Sequence, residues 1–468
     1  MKKKTFSIAV LGTLLLGASM GVIGCAEKGP AITLWVGGES AKFYQKVASN
    51  FFKEHSEYGY RVVVKGVDTG TVAGTITTDP EAAADIYTVA HDNIAKMIDA
   101  EAARAIEDEE LVAQVNADNP QAFKDVINFV PKDETEKKLY GVPYISQSLF
   151  LYYNKKFVSD EQAKTFEGLK SAADAASAQK GSDVKAFTIT GDDGYNFSFT
   201  MLARKDSDKT STLKLYPNGQ RHDNWLQGDD EVAFVRWANE MFADPHGGEW
   251  PPSSWITEIQ NEKCLALIGG AWHFNSFAAT CDDFGVAKIP TFTLTANQVA
   301  GLTGVSAGDV YRGGTFADCK VFMMNYHCAE EKREAAQALM KHLSSKEVQQ
   351  QSFIECNNVP AFDGVSEFIK EHKSEFSDYQ YQLGVAQTEM SAYGIAQPFT
   401  KSLYNTYFYS KNGPTKYTNL IKTKTADLTL DMIRDALFRI EYTWGWGEEV
   451  PEGKMPTSLP ASTAERIV

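Results

Sequence analysis

The chain has 468 residues, with 46 Lys and Arg against 61 Asp and Glu, a formal net charge of −15 and 43% hydrophobic residues. Such acidity argues against nucleic acid or an anionic lipid surface as partner. The apolar and aromatic content predicts a folded body, and the length exceeds one ordinary core, so two lobes are expected.

The first element is a leader. Lys2, Lys3 and Lys4 precede a run from Phe6 to Ile23 without charge, the order of a secretory signal. It ends in Val22-Ile23-Gly24-Cys25, which reads as a lipobox: two apolar residues, a small one, then the cysteine that is lipidated after cleavage. Residues 1–24 are therefore read as a lipoprotein signal peptide and 25–30 as a lipidated linker, Cys25 being the sole membrane attachment. Stable anchoring takes two or three acyl chains, since each buried methylene contributes ~0.8 kcal/mol. Without the leader, 43 basic and 61 acidic residues remain, a net charge of −18.

The body then alternates. "AITLWVGG" (31–38) predicts a strand, "FYQKVASNFFKEH" (43–55) a helix with Phe43, Val47 and Phe51 on one face, "YRVVVKGV" (60–67) a strand, and "ADIYTVAHDN" (84–93) a third strand leading into a helix whose first turn carries Asp92. Strand, helix, strand within about 35 residues is a βαβ unit and predicts a parallel, doubly wound sheet. "KLYGVPYISQSLFLYYNKKF" (138–157) reads as one strand beyond Pro143. "KAFTIT" (185–190), "CLALIGGAWHF" (264–274, stopping at Gly269-Gly270) and "FGVAKIPTF" (284–292) are further strands. "EEKREAAQALMKHLSSKEVQQQSF" (330–353) reads as one amphipathic helix, 378–409 as a tyrosine-rich helical region and "TLDMIRDALFRIEYTW" (429–444) as the last helix; 447–468 is a loose Pro/Gly/Ser-rich tail. Cys264, Cys281, Cys319, Cys328 and Cys356 show no CxxC and no metal spacing, and read mainly as buried small apolar residues with room for one disulfide.

Taken in order, "ADIYTVAHDN", "KLYGVPYISQSLFLYYNKK", "LALIGGAWHF" with "FGVAKIPTF", and "AQALMKHLSSKEVQQQSF" resemble the extracellular solute-binding proteins of ABC importers, nearest the maltose/maltodextrin-binding branch, over most of residues 31–444. The resemblance implies an α/β, two-lobe periplasmic-binding-protein-like (type II) clamp, each lobe a mainly parallel sheet flanked by helices. One lobe would take 31–146 plus 315–357 and the other 150–312 plus 360–446, with three crossing segments as the hinge. It implies a carbohydrate ligand, permease subunits as partners, a monomer, and a location outside the cytoplasmic membrane.

Sugars present hydroxyl edges, which call for planar polar side chains, and weakly apolar faces, which call for aromatic rings; a cleft with few placed polar groups is the usual arrangement. By the resemblance, Trp272 after Gly-Gly-Ala stacks on a glucose ring, Tyr195 is a second stacking ring, and Asp193 and Asp92 accept hydroxyls. The bland alternatives are core packing for Trp272, a solvated turn for Asp193 and Tyr195, and a helix N-cap for Asp92. Glu39 and Ser40 stand where the family has an Asp-Lys pair, Asn93 where it has Arg, Val89 where it has Trp, and Gln147 where it has Glu. Tyr404 and Asn405 fall near its last stacking aromatic. These departures put the identity of the sugar in question, not the architecture.

Two other functions are compatible with an acidic two-lobe chain. A surface glycosidase needs two carboxylates at a set separation; Asp192-Asp193 and Asp282-Asp283 qualify by adjacency alone, and neighbours in sequence point apart. A non-sugar solute, such as a polyamine or peptide, would suit an acidic, aromatic cleft. Eight scattered histidines argue against metal. The expectation is a binding protein, not an enzyme, without cofactor.

Overall fold

In the computed structural model, residues 29–131, 134–206, 228–392, 394, 396–397 and 417–446 are described, with side chains to Arg439. The leader, Cys25, Tyr404, Asn405 and the tail lie outside them.

In chain order, β1 (Ala31–Gly37), α1 (Ala41–Glu54), β2 (Arg61–Val67), β3 (Ile86–Ala90), α2 (Ile94–Asp99) and β4 (Ala103–Arg104) open the first sheet. The predicted helical face is real: α1 buries Phe43, Tyr44, Val47, Ala48, Phe51 and Phe52, the spacing that puts one stripe against a sheet. The stretch 138–157 is not one strand. It is β5 (Val142–Gln147) and β6 (Leu149–Asn154), which belong to different sheets and part at Ser148.

The second sheet takes β6, then α3 (Phe166–Lys180), β7 (Phe187–Ile189), α4 (Asp229–Ala243), β8 (Gly248–Glu249), β9 (Ala266–Gly270) and β10 (Phe284–Ala287). A hairpin of β11 (Thr291–Thr293) and β12 (Val310–Arg312) follows, and the chain returns to the first sheet as β13 (Asp318–Asn325). The predicted helix 330–353 is two, α5 (Arg333–Leu343) and α6 (Lys346–Cys356). Ser345 divides them, its side chain accepting from Val348 N at 3.4 Å as an N-cap. Ser345→Ala is expected to cost about 1 kcal/mol, read as a lower midpoint in urea denaturation. Finally α7 (Asp378–Ser391), α8 (Tyr417–Lys422) and α9 (Leu430–Trp446) cover the second sheet's side.

The first sheet runs β2-β1-β3-β13-β4, with β5 also on β13; the second runs β8-β7-β9-β6-β10. In each, one strand is reversed, β13 in the first and β6 in the second, and the others share a direction. The strands are thus mainly parallel, and the C-terminal ends of β1, β2 and β3 lie at one edge, as do those of β7, β8 and β9. Two separate hydrophobic clusters follow these sheets. Phe316 and Phe353, expected in the first lobe, pack into the second cluster.

The chain crosses between the clusters at three places, and the middle of each touches another. Ser146 N donates to Val359 O at 2.8 Å and Leu149 N to Thr315 Oγ1 at 2.9 Å. The Gln387 amide nitrogen of α7, with two hydrogens to donate, lies within reach of the Ser146, Ser148 and Ser391 hydroxyls at 3.1, 2.8 and 2.8 Å. At Gly314 there is no room for a side chain: a Cβ would sit 2.0 Å from Leu202 O. The five cysteines carry free thiols, Cys356 half-buried and the rest buried. Among the described residues no helix is long and apolar enough to cross a membrane.

Candidate functional site

β9 stops at Gly270, and a single turn, Ala271–His273, carries Trp272 outward. Trp272 is 39% exposed, so it is not core packing. Its indole lies flat over Gly270: a Cβ there would be 2.2 Å from the ring, which is the physical reason for glycine before this turn. Tyr195 stands 6.2 Å from the indole, tilted by 37°, and Phe316 is stacked on it at 5.9 Å and 13°. Beyond Trp272 come His273 at 5.4 Å and then Trp255 at 5.6 Å. The rings form a continuous aromatic strip from the crossing segment outward along the end of the second sheet.

Tyr195 is held by a turn that Asp193 fixes. Asp193 Oδ1 accepts from Asn196 N at 2.9 Å and from the Asn196 amide at 3.0 Å, while Thr190 Oγ1 donates to Asn196 Oδ1 at 2.7 Å. Asp192 pairs with Lys422, whose ammonium also sits 4.6 Å over the Trp250 ring. Burial pushes the Tyr195 hydroxyl well up, and the carboxylates of Asp318, Asp92 and Asp193 push it further. Acids from both clusters therefore converge on this ring.

On the first sheet, Asp92 and Asn93 sit in the turn after β3, where Asn93 Nδ2 donates to Asp92 Oδ1 at 2.9 Å. The N-cap position of α2 is Asn93, not Asp92. Glu39 is exposed in the turn after β1. Ser40 is buried, and its hydroxyl accepts from Asn358 Nδ2 at 2.9 Å, so it serves the third crossing. Gln147 is buried at the end of β5, opposite Asp318 in register.

Sequence reasoning missed a buried cluster beneath these residues. His91 Nε2 lies 3.1 Å from Gln397 O and 3.6 Å from Asp318 Oδ1, and Asp318 Oδ1 accepts from Gln397 N at 3.1 Å. A carbonyl only accepts, so His91 Nε2 carries the proton. Burial pushes Asp318 up to about 7 and pulls His91 down. The available signal was an acid and a lysine, Asp318 and Lys320, leading into the apolar run "VFMM" (321–324).

The catalytic alternatives find little support in placement. Asp282 and Asp283 are exposed before β10. The stretch "GVSAG" (304–308) has the G-x-S-x-G spelling of a nucleophile elbow. It is an exposed loop within the β11–β12 hairpin, with left-handed glycines at 304 and 308, not the strand-to-helix turn such an elbow requires. Among the described residues no group of three or more His, Cys, Asp or Glu is placed to hold a metal ion.

A sequence model described as bacterial extracellular solute-binding protein matches residues 46–379. Two curated relatives are maltooligosaccharide ABC transporter solute-binding lipoproteins of Streptococcus pneumoniae. The one from strain R6 is 25% identical over 322 residues, 61% of this chain and 68% of its own; the one from strain TIGR4 is 29% identical over 169 residues, 33% of this chain and 37% of its own. Among solved structures, an unliganded maltodextrin-binding protein from L. casei BL23 superposes with a TM-score of 0.66 at 17% identity, covering 89% of this chain and 99% of its own. A Streptococcus pneumoniae protein in complex with maltopentaose gives 0.63 at 19%, covering 88% and 100%.

Proposed function

We propose, from the premise that this chain belongs to the bacterial extracellular solute-binding proteins, that it captures a maltodextrin or related oligosaccharide between its two lobes. It hands the sugar to the membrane permease subunits of an ABC importer. The protein works as a monomer, without catalysis, tethered outside the membrane through Cys25. The lobes are 31–146 plus 315–357 and 150–312 plus 360–446, a division that the two separate cores support except at Phe316 and Phe353, which pack with the second core, and Ala361, which packs with the first.

The observation that carries this reading is the exposed Trp272 indole seated on Gly270 beside Tyr195, whose hydroxyl is acted on by the carboxylates of Asp193 from one lobe and Asp92 from the other. Rings supply the platform for sugar faces, and carboxylates accept from hydroxyl edges. In this reading Glu39, Asn93 and Gln147 are the further ligand contacts of the first lobe; Tyr404 and Asn405, outside the described residues, are assigned to the second by resemblance alone. The same acids favour a second reading, an aliphatic polyamine held against the rings.

Calorimetric titration with maltose through maltopentaose and with spermidine tests both. Saturation by a maltodextrin supports the sugar reading; spermidine alone saturating the protein overturns it. Trp272→Ala is expected to weaken sugar binding by about 2 kcal/mol, roughly thirtyfold, with an unchanged melting temperature. A variant that binds normally would remove Trp272 from the site.

A further inference from the structure

The reversed strand β13 is buried at every position, yet its third residue is a lysine. Lys320 is 6% exposed. Its register partners are Ala90, the last residue of β3, and Ile145 of β5. That places it at the edge of the first sheet where β1, β2 and β3 end and the turns bearing Glu39, Thr69 and Asp92 begin. The side chain reaches that edge: Nζ donates to Thr69 Oγ1 at 3.2 Å, and the carboxylates of Glu39 and Asp68, on the turns after β1 and β2, both act on it.

An ammonium carries three donors. Among the described residues this one makes a single hydrogen bond, to a neutral hydroxyl, and no ion pair within 4.0 Å. Burying a charge with so little compensation is costly. A methionine, one atom shorter, would fill most of the space without that cost, so packing does not explain the lysine. A ligand lying along this edge would bring the oxygen acceptors that the remaining donors lack.

We propose that Lys320 is a ligand-contacting residue of the first lobe, its ammonium donating to the hydroxyl edge of the bound sugar beside the turns after β1 and β2. The proposal rests on the reading of the cleft as an oligosaccharide site. It gives that site a cation on a strand, locked by packing, in place of one on a mobile surface side chain. Burial lowers the lysine's affinity for its proton while Glu39 and Asp68 oppose the shift, so its charge is lost at a lower pH than that of a surface lysine.

The test is calorimetric titration of wild type and Lys320→Met with whichever maltodextrin wild type binds, at pH 7 and again toward pH 10. At pH 7 the variant should bind at least tenfold more weakly while melting at or above the wild-type temperature. Wild-type affinity should fall as pH rises, and the variant's should not. Binding within twofold of wild type, or the same pH profile in both, overturns the proposal. If Lys320→Met does not fold, Lys320→Arg takes its place: the guanidinium stays charged, so a flat profile supports the assignment and a wild-type-like fall overturns it. Wild type that binds no maltodextrin overturns the sugar reading itself, and this assignment with it.

Discussion

Trp237→Ala is expected to lower folding stability by about 3–5 kcal/mol. Trp237 lies on α4, 3% exposed, stacked on Phe292 at 4.2 Å and 25° and edge-on to Phe166 at 4.9 Å. Truncation would leave a cavity walled by rings that belong to α3 and β11 and cannot collapse together, because each is fixed by its own element. Scanning calorimetry should show the transition of the second core roughly ten degrees lower, with the first core's transition unmoved if the two unfold separately. Sugar affinity measured well below that transition should be unchanged, which is the reverse of what Trp272→Ala predicts. A melting curve like wild type would mean that the α4 face is not the packed centre described here.

The second large effect is a slope against pH. Burial holds the Asp318 carboxyl up to about 7, although the amide of Gln397 donates to it and pulls the other way. In the unfolded chain an aspartate ionises near ~3.9. Between those values the folded protein keeps a proton that the unfolded chain has released. Its contribution to stability is therefore full below about pH 4, falls as pH rises, and levels off above about 7, a total on the order of 4 kcal/mol. Asp318→Asn has no proton to lose, so the difference between wild type and variant should slope downward with pH across that window and run flat above it. His91, whose charged form burial disfavours, titrates in both proteins and largely cancels in the difference. Acids with lowered values, such as Asp229 beside Thr303 and Arg434, act at the opposite end, losing stability as the solution becomes more acidic than ~pH 4. Urea denaturation at several pH values reads the curve. A difference flat from pH 4 to 7 would show Asp318 ionised throughout.

What the sequence made legible follows from the range of the forces involved. The β1–α1–β2 opening could be read because periodicity is local: α1's stripe and β2's valines announce themselves within one or two turns. The split at Ser148 could not. β5 and β6 are buried on both faces, so the apolar run continues unbroken through the crossing, and hydrophobicity does not say which sheet a residue joins. α5 and α6 merged for a similar reason, since two serines interrupt a helical pattern only through a cap that is visible in three dimensions. Trp272's position was readable because the glycine that accommodates its ring is its near neighbour. His91, Asp318 and Gln397 meet across long stretches of chain, and nothing in the spacing of any one of them points to the others. Lys320 escaped with them, since the strand that carries it was not recognised.

β13 has a consequence for the order of assembly. It is an interior strand of the first sheet and the one that runs against the others, pairing with β3, β4 and β5, and its partner for Ala90 is Lys320. A chain made from its amino end delivers β1 to β5 first and then the whole body of the second sheet before β13 emerges. Until then the first lobe is a half-sheet with the β3 and β5 edges unpaired, unable to zip. Such long-range closure is slow, and open edges invite the wrong neighbour. The lobe that begins synthesis first is thus barred from finishing first.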